Sequence, residues 1–242
     1  MDEIQRNFVQ LLKERDILIS DNQLAQFELY YKELIEWNNK LNLTAITERE
    51  QVYLKHFYDS LSLAFYYDMN KALSIADIGS GAGFPSIPLR IIFPHLKVTI
   101  VDSLNKRIIF LKELVDKLEL NNVECIHGRA EDVSRMPAYR DQFDLVTARA
   151  VAKLSVLNEL CLPFVKKDGH FIAMKGSEIE EELLDAAYSI SELKGKVVQV
   201  DRMELPSEHS IRHIVVIKKR FATPAKYPRK AGLLNKNPLT KG

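Results

Sequence analysis

The stretch Asp77-Ile78-Gly79-Ser80-Gly81-Ala82-Gly83-Phe84-Pro85 decides the fold. It lies between a short β-rich run at 74–78 and an apolar run at 87–93 that reads as a helix. Three glycines within five residues let the chain turn sharply. They also leave main chain bare, so that a ligand can lie directly against it. A glycine turn from strand to helix belongs at the carboxyl edge of a parallel sheet, where such sheets bind ligands. Pro85 and Pro88 suit the first helical turn, where N–H groups have no intrahelical partner.

Working outward, the same texture repeats. Runs at 97–101, 123–127, 143–148 and 170–175 read as strands, and runs at 106–118, 153–163 and 178–193 read as helices between them. Ile108, Leu111, Leu114 and Leu118 share one face of the second helix. Such alternation predicts right-handed crossovers and a parallel sheet covered on both sides. Runs at 196–203 and 211–218 have no helix between them and read as a hairpin-like closure with one antiparallel strand. The sum is an α/β, doubly wound, mostly parallel sheet of seven strands. Residues 1–67 read differently: the capping boxes Ser20/Gln23 and Thr47/Glu50 open helices, and no strand intervenes. The expected organisation is a helical cap at 1–67, a ligand-binding domain at 68–220 and a tail at 221–242, packed as one unit.

The glycine spacing bears on the ligand. A dinucleotide fingerprint reads G-x-G-x-x-G, but here Phe84 stands at the last position and the third glycine is Gly83. The pattern D-x-G-x-G-x-G resembles the first motif of the class I, Rossmann-like methyltransferases. That likeness implies a loop wrapping the methionine part of S-adenosylmethionine. Asp102, with Ser103 beside it, ends the second strand; its carboxylate suits both ribose hydroxyls of an adenosine. NAD asks for the same carboxylate, so a dehydrogenase stays open at this point. After the third strand, the Ala130 N–H and the Glu131 side chain suit an adenine edge, although Glu131 and Asp132 also suit the first turn of a helix.

The fourth strand runs into Thr147-Ala148-Arg149-Ala150-Val151. No Asn/Asp-Pro-Pro-aromatic tetrad follows, and no Pro-Cys nucleophile. Cys161 stands before its proline's neighbour in Leu-Cys-Leu-Pro and reads as core. An enzyme without these devices suits an acceptor that is already nucleophilic, such as guanine N7, whose lone pair is free in the plane of the base. Catalysis is then alignment of N7, methyl and sulfonium. Arg149 is expected to hold the cofactor carboxylate or a phosphate. His56 and Asp59 share a helix face, either at the mouth of the site or as packing contacts.

Charge is uneven. Residues 218–242 hold eight Lys or Arg and no acid, against 26 basic and 33 acidic residues elsewhere. A basic end on an acidic body points to a polyanion, or serves only solubility. Cys125 and Cys161 sit in separate apolar runs and read as buried thiols of a reducing compartment. There is no leader pattern, no membrane-length apolar run and no metal-ligand spacing, so a cytoplasmic, metal-free protein is expected. No dimerisation stripe is evident, so a monomer is expected.

Several segments together are similar to the RsmG (glucose-inhibited division protein B) family. They are Trp37–Thr44 in Trp-Asn-Asn-Lys-Leu-Asn-Leu-Thr, His56–Leu61, the loop at 77–88, Gly128–Glu131, Ala148–Leu154, and in the tail Tyr227–Gly232 and Lys236–Leu239. The resemblance implies transfer of a methyl group from S-adenosylmethionine to N7 of a guanine in the helix-18 (530) loop of 16S ribosomal RNA. It implies Gly79, Phe84, Ala130, Glu131 and Arg149 as cofactor residues, beside Gly81, Gly83, Asp102 and Ser103 expected from the glycine loop and the end of the second strand. It makes 16S ribosomal RNA or the small ribosomal subunit the partner of the tail, through Arg229, Lys230 and Lys236 on phosphates and Tyr227 stacked on a base. Ser86 stands where the family often has glycine, and its hydroxyl is expected to cap the next helix. A methyltransferase for small molecules and a non-catalytic RNA-binding assembly factor are the alternatives.

Overall fold

Asp2 and Ser20 begin helices by the same device. Each side chain accepts from the N–H three residues on, while Gln5 or Gln23 reaches back to the cap N–H. They open α1 (Glu3–Lys13) and α2 (Asp21–Leu41). Next comes one helical stretch in pieces: α3 (Arg49–Val52), a π turn (Tyr53–Tyr58), α4 (Asp59–Leu61) and α5 (Leu63–Tyr66). The sequence predicts a plain helix there opened by a Thr47/Glu50 capping box; instead Glu48 is the cap residue with no side-chain hydrogen bond, and the helix widens into a π turn whose cause lies in the site below. The computed structural model describes residues 1–70 and 73–241; Lys71, Ala72 and Gly242, within the expected second and third segments, lie outside the described residues.

Strand and helix then alternate as expected. They run β1 (Ser74–Ile78), α6 (Ser86–Ile92), β2 (Lys97–Asp102), α7 (Asn105–Lys117), β3 (Val123–His127), α8 (Ala130–Val133), β4 (Phe143–Arg149), α9 (Leu154–Cys161), β5 (Val165–Lys175), α10 (Ile179–Glu192), β6 (Gly195–Glu204), β7 (Ile211–Lys219) and α11 (Leu233–Lys236). The sheet has seven strands in the order β3-β2-β1-β4-β5-β7-β6. β7 runs antiparallel to both β5 and β6, and the other ladders are parallel. The order reverses between β1 and β4, which opens a crevice at their carboxyl ends.

Alternation along each strand builds two cores. Ile75, Ile100, Leu145 and Ile172 face α1, α2, α6 and α7. Their neighbours Ala76, Val101, Val146 and Phe171 face α9, α10 and the tail. In the first core Phe57 touches Phe8, Phe27, Tyr30 and Tyr53, with ring centroids 5.0–6.5 Å apart. Burial of each such ring contributes about 1.5–3 kcal/mol, so these rings anchor the helices of residues 1–67 on the sheet. Cys161 is buried as expected, whereas Cys125 is only partly so.

Candidate active site

The glycine loop sits at the crevice, and its three glycines are glycine for different reasons. Gly79 donates to the Val101 carbonyl at 2.8 Å, and a Cβ on it would meet Val151 Cγ2 at 2.9 Å. The loop after β4 therefore closes over it. Gly83, at φ +99°, lies against the cap: a Cβ there would come 2.8 Å from Tyr30 Oη and Ile87 Cγ1. Gly81, at φ +62°, meets nothing within 4 Å. It is the bare, open part of the cradle.

Phe84 packs between the cap and the loop. It is 5% exposed, stacked on Tyr30 at 5.4 Å and on His56 at 4.5 Å, with the Arg149 guanidinium 4.8 Å from its ring centre. Its ring thus joins the cap to the loop. Ser86 does not cap its helix: its N–H donates to Asp77 Oδ2 at 3.2 Å, and its buried hydroxyl has no partner. Asp77, the preceding carboxylate, supplies the cap instead. Burial pushes Asp77 up to about 7.

The π turn explains His56, Asp59 and Arg149 together. A wide turn misaligns its carbonyls, and those of Lys55 and His56 are taken by Arg149 Nη1 at 3.2 and 3.4 Å. Ser60 Oγ also donates to the His56 carbonyl, at 2.5 Å. Arg149 Nη1 continues to Asp59 Oδ2 at 3.0 Å, and Arg212 Nε reaches Asp59 Oδ1 at 3.2 Å. Arg149 Nη2 approaches His56 Nδ1 at 3.4 Å; an arginine only donates, so Nδ1 accepts and the ring proton is on Nε2. Nε2 then donates to Thr44 Oγ1 at 2.8 Å. Burial, with the Arg149 charge beside it, lowers His56 to about 3, so the ring is neutral. Thr44 is delivered by the Asn-rich turn: Asn42 ends α2 in a left-handed conformation, and Asn38 Oδ1 accepts from the Thr44 N–H at 2.8 Å.

Arg149 Nη1 and Nη2 are therefore engaged by protein acceptors, while Nε has no partner among the described hydrogen bonds. Beside it opens a cavity of about 480 Å³, walled by Lys55, Arg149, Lys175, Glu178 and Arg212, within the usual range of ligand sites. Arg212 was not legible in the sequence as a site residue. It arrives from the antiparallel β7, 153 residues from Asp59.

Asp102 lies under the loop, 2% exposed. It accepts from the N–H groups of Gly81 at 3.1 Å and Leu104 at 2.9 Å and from Arg107 at 3.3 Å. A carboxylate has about four acceptor positions, so a ribose hydroxyl can still be added. Ser103 is exposed next to it. Ala130 is the first residue of α8, so its N–H belongs to the turn that lacks intrahelical partners. Glu131 and Asp132 do begin a helix, and Glu131 is 9% exposed. Buried, unpartnered Asp77 Oδ1 and Ser80 Oγ flank the open face of Gly81 in sequence. An open glycine cradle with orphaned acceptors and donors beside it, and a carboxylate at the next strand end, fits an adenosine-linked ligand. Among the described residues no group of three or more His, Cys, Asp or Glu is placed to hold a metal ion.

The family model of GidB, rRNA small subunit methyltransferase G, matches residues 23–215. The chain belongs to this family. It is 57% identical over 232 residues to the ribosomal RNA small subunit methyltransferase G of Oceanobacillus iheyensis, covering 96% of this chain and 98% of that one. The counterpart from Staphylococcus carnosus is 58% identical over 234 residues, covering 96% and 98%. Among solved structures, M. jannaschii TYW2 in complex with AdoMet aligns with a TM-score of 0.53 at 20% identity, over 69% of this chain and 76% of that one. A predicted O-methyltransferase from Agrobacterium tumefaciens gives 0.56 at 15%, over 66% and 80%. These likenesses show the fold, which is the class I, Rossmann-like methyltransferase fold anticipated from the glycine loop and the alternation of strands and helices.

In this chain the basic end is not a loose tail. Lys219 is fully buried and donates to Asp141, Thr223 and the Leu162 carbonyl. Arg140 donates to the carbonyls of Thr223, Pro224 and Tyr227. Arg229 forks onto Glu159, whose side chain is 1% exposed. The expectation for Tyr227 needs correction: its ring is 5% exposed in the second core, with the hydroxyl on Glu192 at 3.3 Å, so no face is free for a base. Lys230 and Lys236 are exposed. Nothing in the sequence marked the acids that hold the tail, because Asp141, Glu159 and Glu192 lie far upstream on other elements.

Proposed function

We propose that this chain transfers a methyl group from S-adenosylmethionine to N7 of a guanine in the helix-18 (530) loop of 16S ribosomal RNA. The carrying observation is the adjacency, in a chain of this family, of an open glycine cradle at the β1/β4 crevice and a cavity whose wall sets Lys55, Arg149, Lys175 and Arg212 among the carboxylates of Asp59, Glu178 and Glu182. The bound cofactor supplies an electrophilic methyl carbon on a sulfonium. Gly79, Gly81 and Gly83 shape its cradle, Asp102 and Ser103 take the ribose, and Ala130 and Glu131 take the adenine edge. Phe84 and Arg149 act from behind, fixing the loop and the cavity wall.

The chain's own task is positioning. Guanine N7 already carries a free in-plane lone pair, so accepting the methyl group that a bound cofactor would supply requires no residue of this chain to remove a proton first. That agrees with a neutral His56 whose Nδ1 already accepts from Arg149. Lys230, Lys236 and the outer edge of Arg229 meet RNA phosphates. The helices of 1–67 serve as a cap, 68–220 as the catalytic body and 221–242 as an RNA-facing strap, in a cytoplasmic monomer. Mapping methylated nucleosides in ribosomal RNA from cells lacking the protein tests this. Loss of one 7-methylguanosine from the small-subunit RNA is expected, and an unchanged methylation map refutes it.

A further inference from the structure

Two arginines share one buried carboxylate beside the cradle. Asp59 is 4% exposed and accepts from Arg149 at 3.0 Å and from Arg212 at 3.2 Å. Their remaining nitrogens differ. Arg149 Nη1 and Nη2 are occupied by the carbonyls of Lys55 and His56, Asp59 and the His56 ring, which leaves it only Nε among the described hydrogen bonds. Arg212 spends Nε on Asp59 and Nη1 on the Ile211 carbonyl at 3.0 Å. Among the described hydrogen bonds Nη2 of Arg212 has no partner, and the side chain lines the cavity. The other cations there are matched with acids: Lys55 with Glu208 at 2.7 Å and Lys175 with Glu182 at 2.8 Å.

We propose that Asp59 is a positioning residue, holding Arg212 so that its free edge takes a phosphate of the acceptor strand beside the target guanine. This rests on the reading of the chain as an RNA methyltransferase. The physical case has two parts. An arginine has a long stem with many rotamers, and fixing it before the ligand arrives removes that entropy cost from binding. Its planar fork then matches two phosphate oxygens or one oxygen and a neighbouring acceptor. The carboxylate also cancels one of two cationic charges. The cavity so holds one phosphate in register instead of attracting backbone at any register.

Labelled methyl transfer to small ribosomal subunits, followed at several salt concentrations, reads this out. Calorimetry with S-adenosylhomocysteine on each variant reports the cofactor cradle separately. Arg212→Gln is expected to raise KM for subunits about tenfold, the loss of one charged hydrogen bond. The log–log salt slope becomes shallower by about 0.7, one phosphate contact on single-stranded RNA. S-adenosylhomocysteine affinity stays within about twofold. Arg212→Lys restores the slope but not KM, because the charge returns without the fork. Asp59→Asn releases both arginines: subunits are retained more tightly while kcat falls.

Wild-type KM and slope in Arg212→Gln overturn the proposal, whether or not Asp59→Asn folds. An equal loss of S-adenosylhomocysteine binding overturns it too, by assigning Arg212 to the cofactor. Absence of transfer by the wild-type protein would overturn the functional reading itself, and this inference with it.

Discussion

The Tyr30 hydroxyl donates to the Ala82 carbonyl at 2.5 Å, 52 residues away and wholly buried. A cap helix thus grips the glycine loop from behind. Tyr30→Phe leaves the Ala82 oxygen without a partner in a dry site. A stability loss of about 1–3 kcal/mol is expected, along with weaker binding of S-adenosylhomocysteine. Urea unfolding and calorimetry measure the two.

The glycines separate by substitution. Gly81→Ala adds a methyl into open space at positive φ and costs about 1 kcal/mol of stability. It fills the cradle, so cofactor affinity falls far more than stability. Gly83→Ala drives a Cβ into Tyr30 and Ile87 and costs about 3 kcal/mol. Similar melting of both variants would contradict this division of roles.

His56 and Asp77 oppose each other in pH. Burial takes His56 from 6.5 down to about 3, so the unfolded chain binds the extra proton between those values. Its contribution is full above 6.5 and is lost as pH falls toward 3. Burial takes Asp77 from 3.8 up to about 7, so the folded chain holds the extra proton. That contribution is full below 3.8 and is lost as pH rises toward 7. Each slope is at most about 1.4 kcal/mol per pH unit. Relative to wild type, His56→Asn should favour about pH 5 and Asp77→Asn should favour about pH 7. Urea melts of each variant at both pH values give the signs.

Arg229 and Lys230 are neighbours with different tasks. Arg229→Ala strands the buried Glu159 carboxylate and costs about 3 kcal/mol. Lys230→Ala and Lys236→Ala stay within about 0.5 kcal/mol in stability. Each lysine variant makes the salt slope of RNA binding shallower by about 0.7. Filter binding over a salt series, beside thermal melts, separates structural from electrostatic loss.

The sequence by itself determined the alternation of strands and helices, the glycine turn after β1 and the carboxylate ending β2. Each follows from rules acting over a few residues: side-chain period, capping boxes, and the bare backbone that only glycine allows. Even the antiparallel closing pair showed, since no crossover helix separates its runs. Tertiary structure alone decided which groups meet. It brought Arg212 to Asp59, Arg149 to the carbonyls of a π turn, and Glu159 to Arg229 across 70 residues or more. Tyr227 changed from an expected stacking ring to a core residue for the same reason. A buried charge or ring takes its partner from whatever the packed sheet sets beside it, and local spacing carries no record of that neighbour.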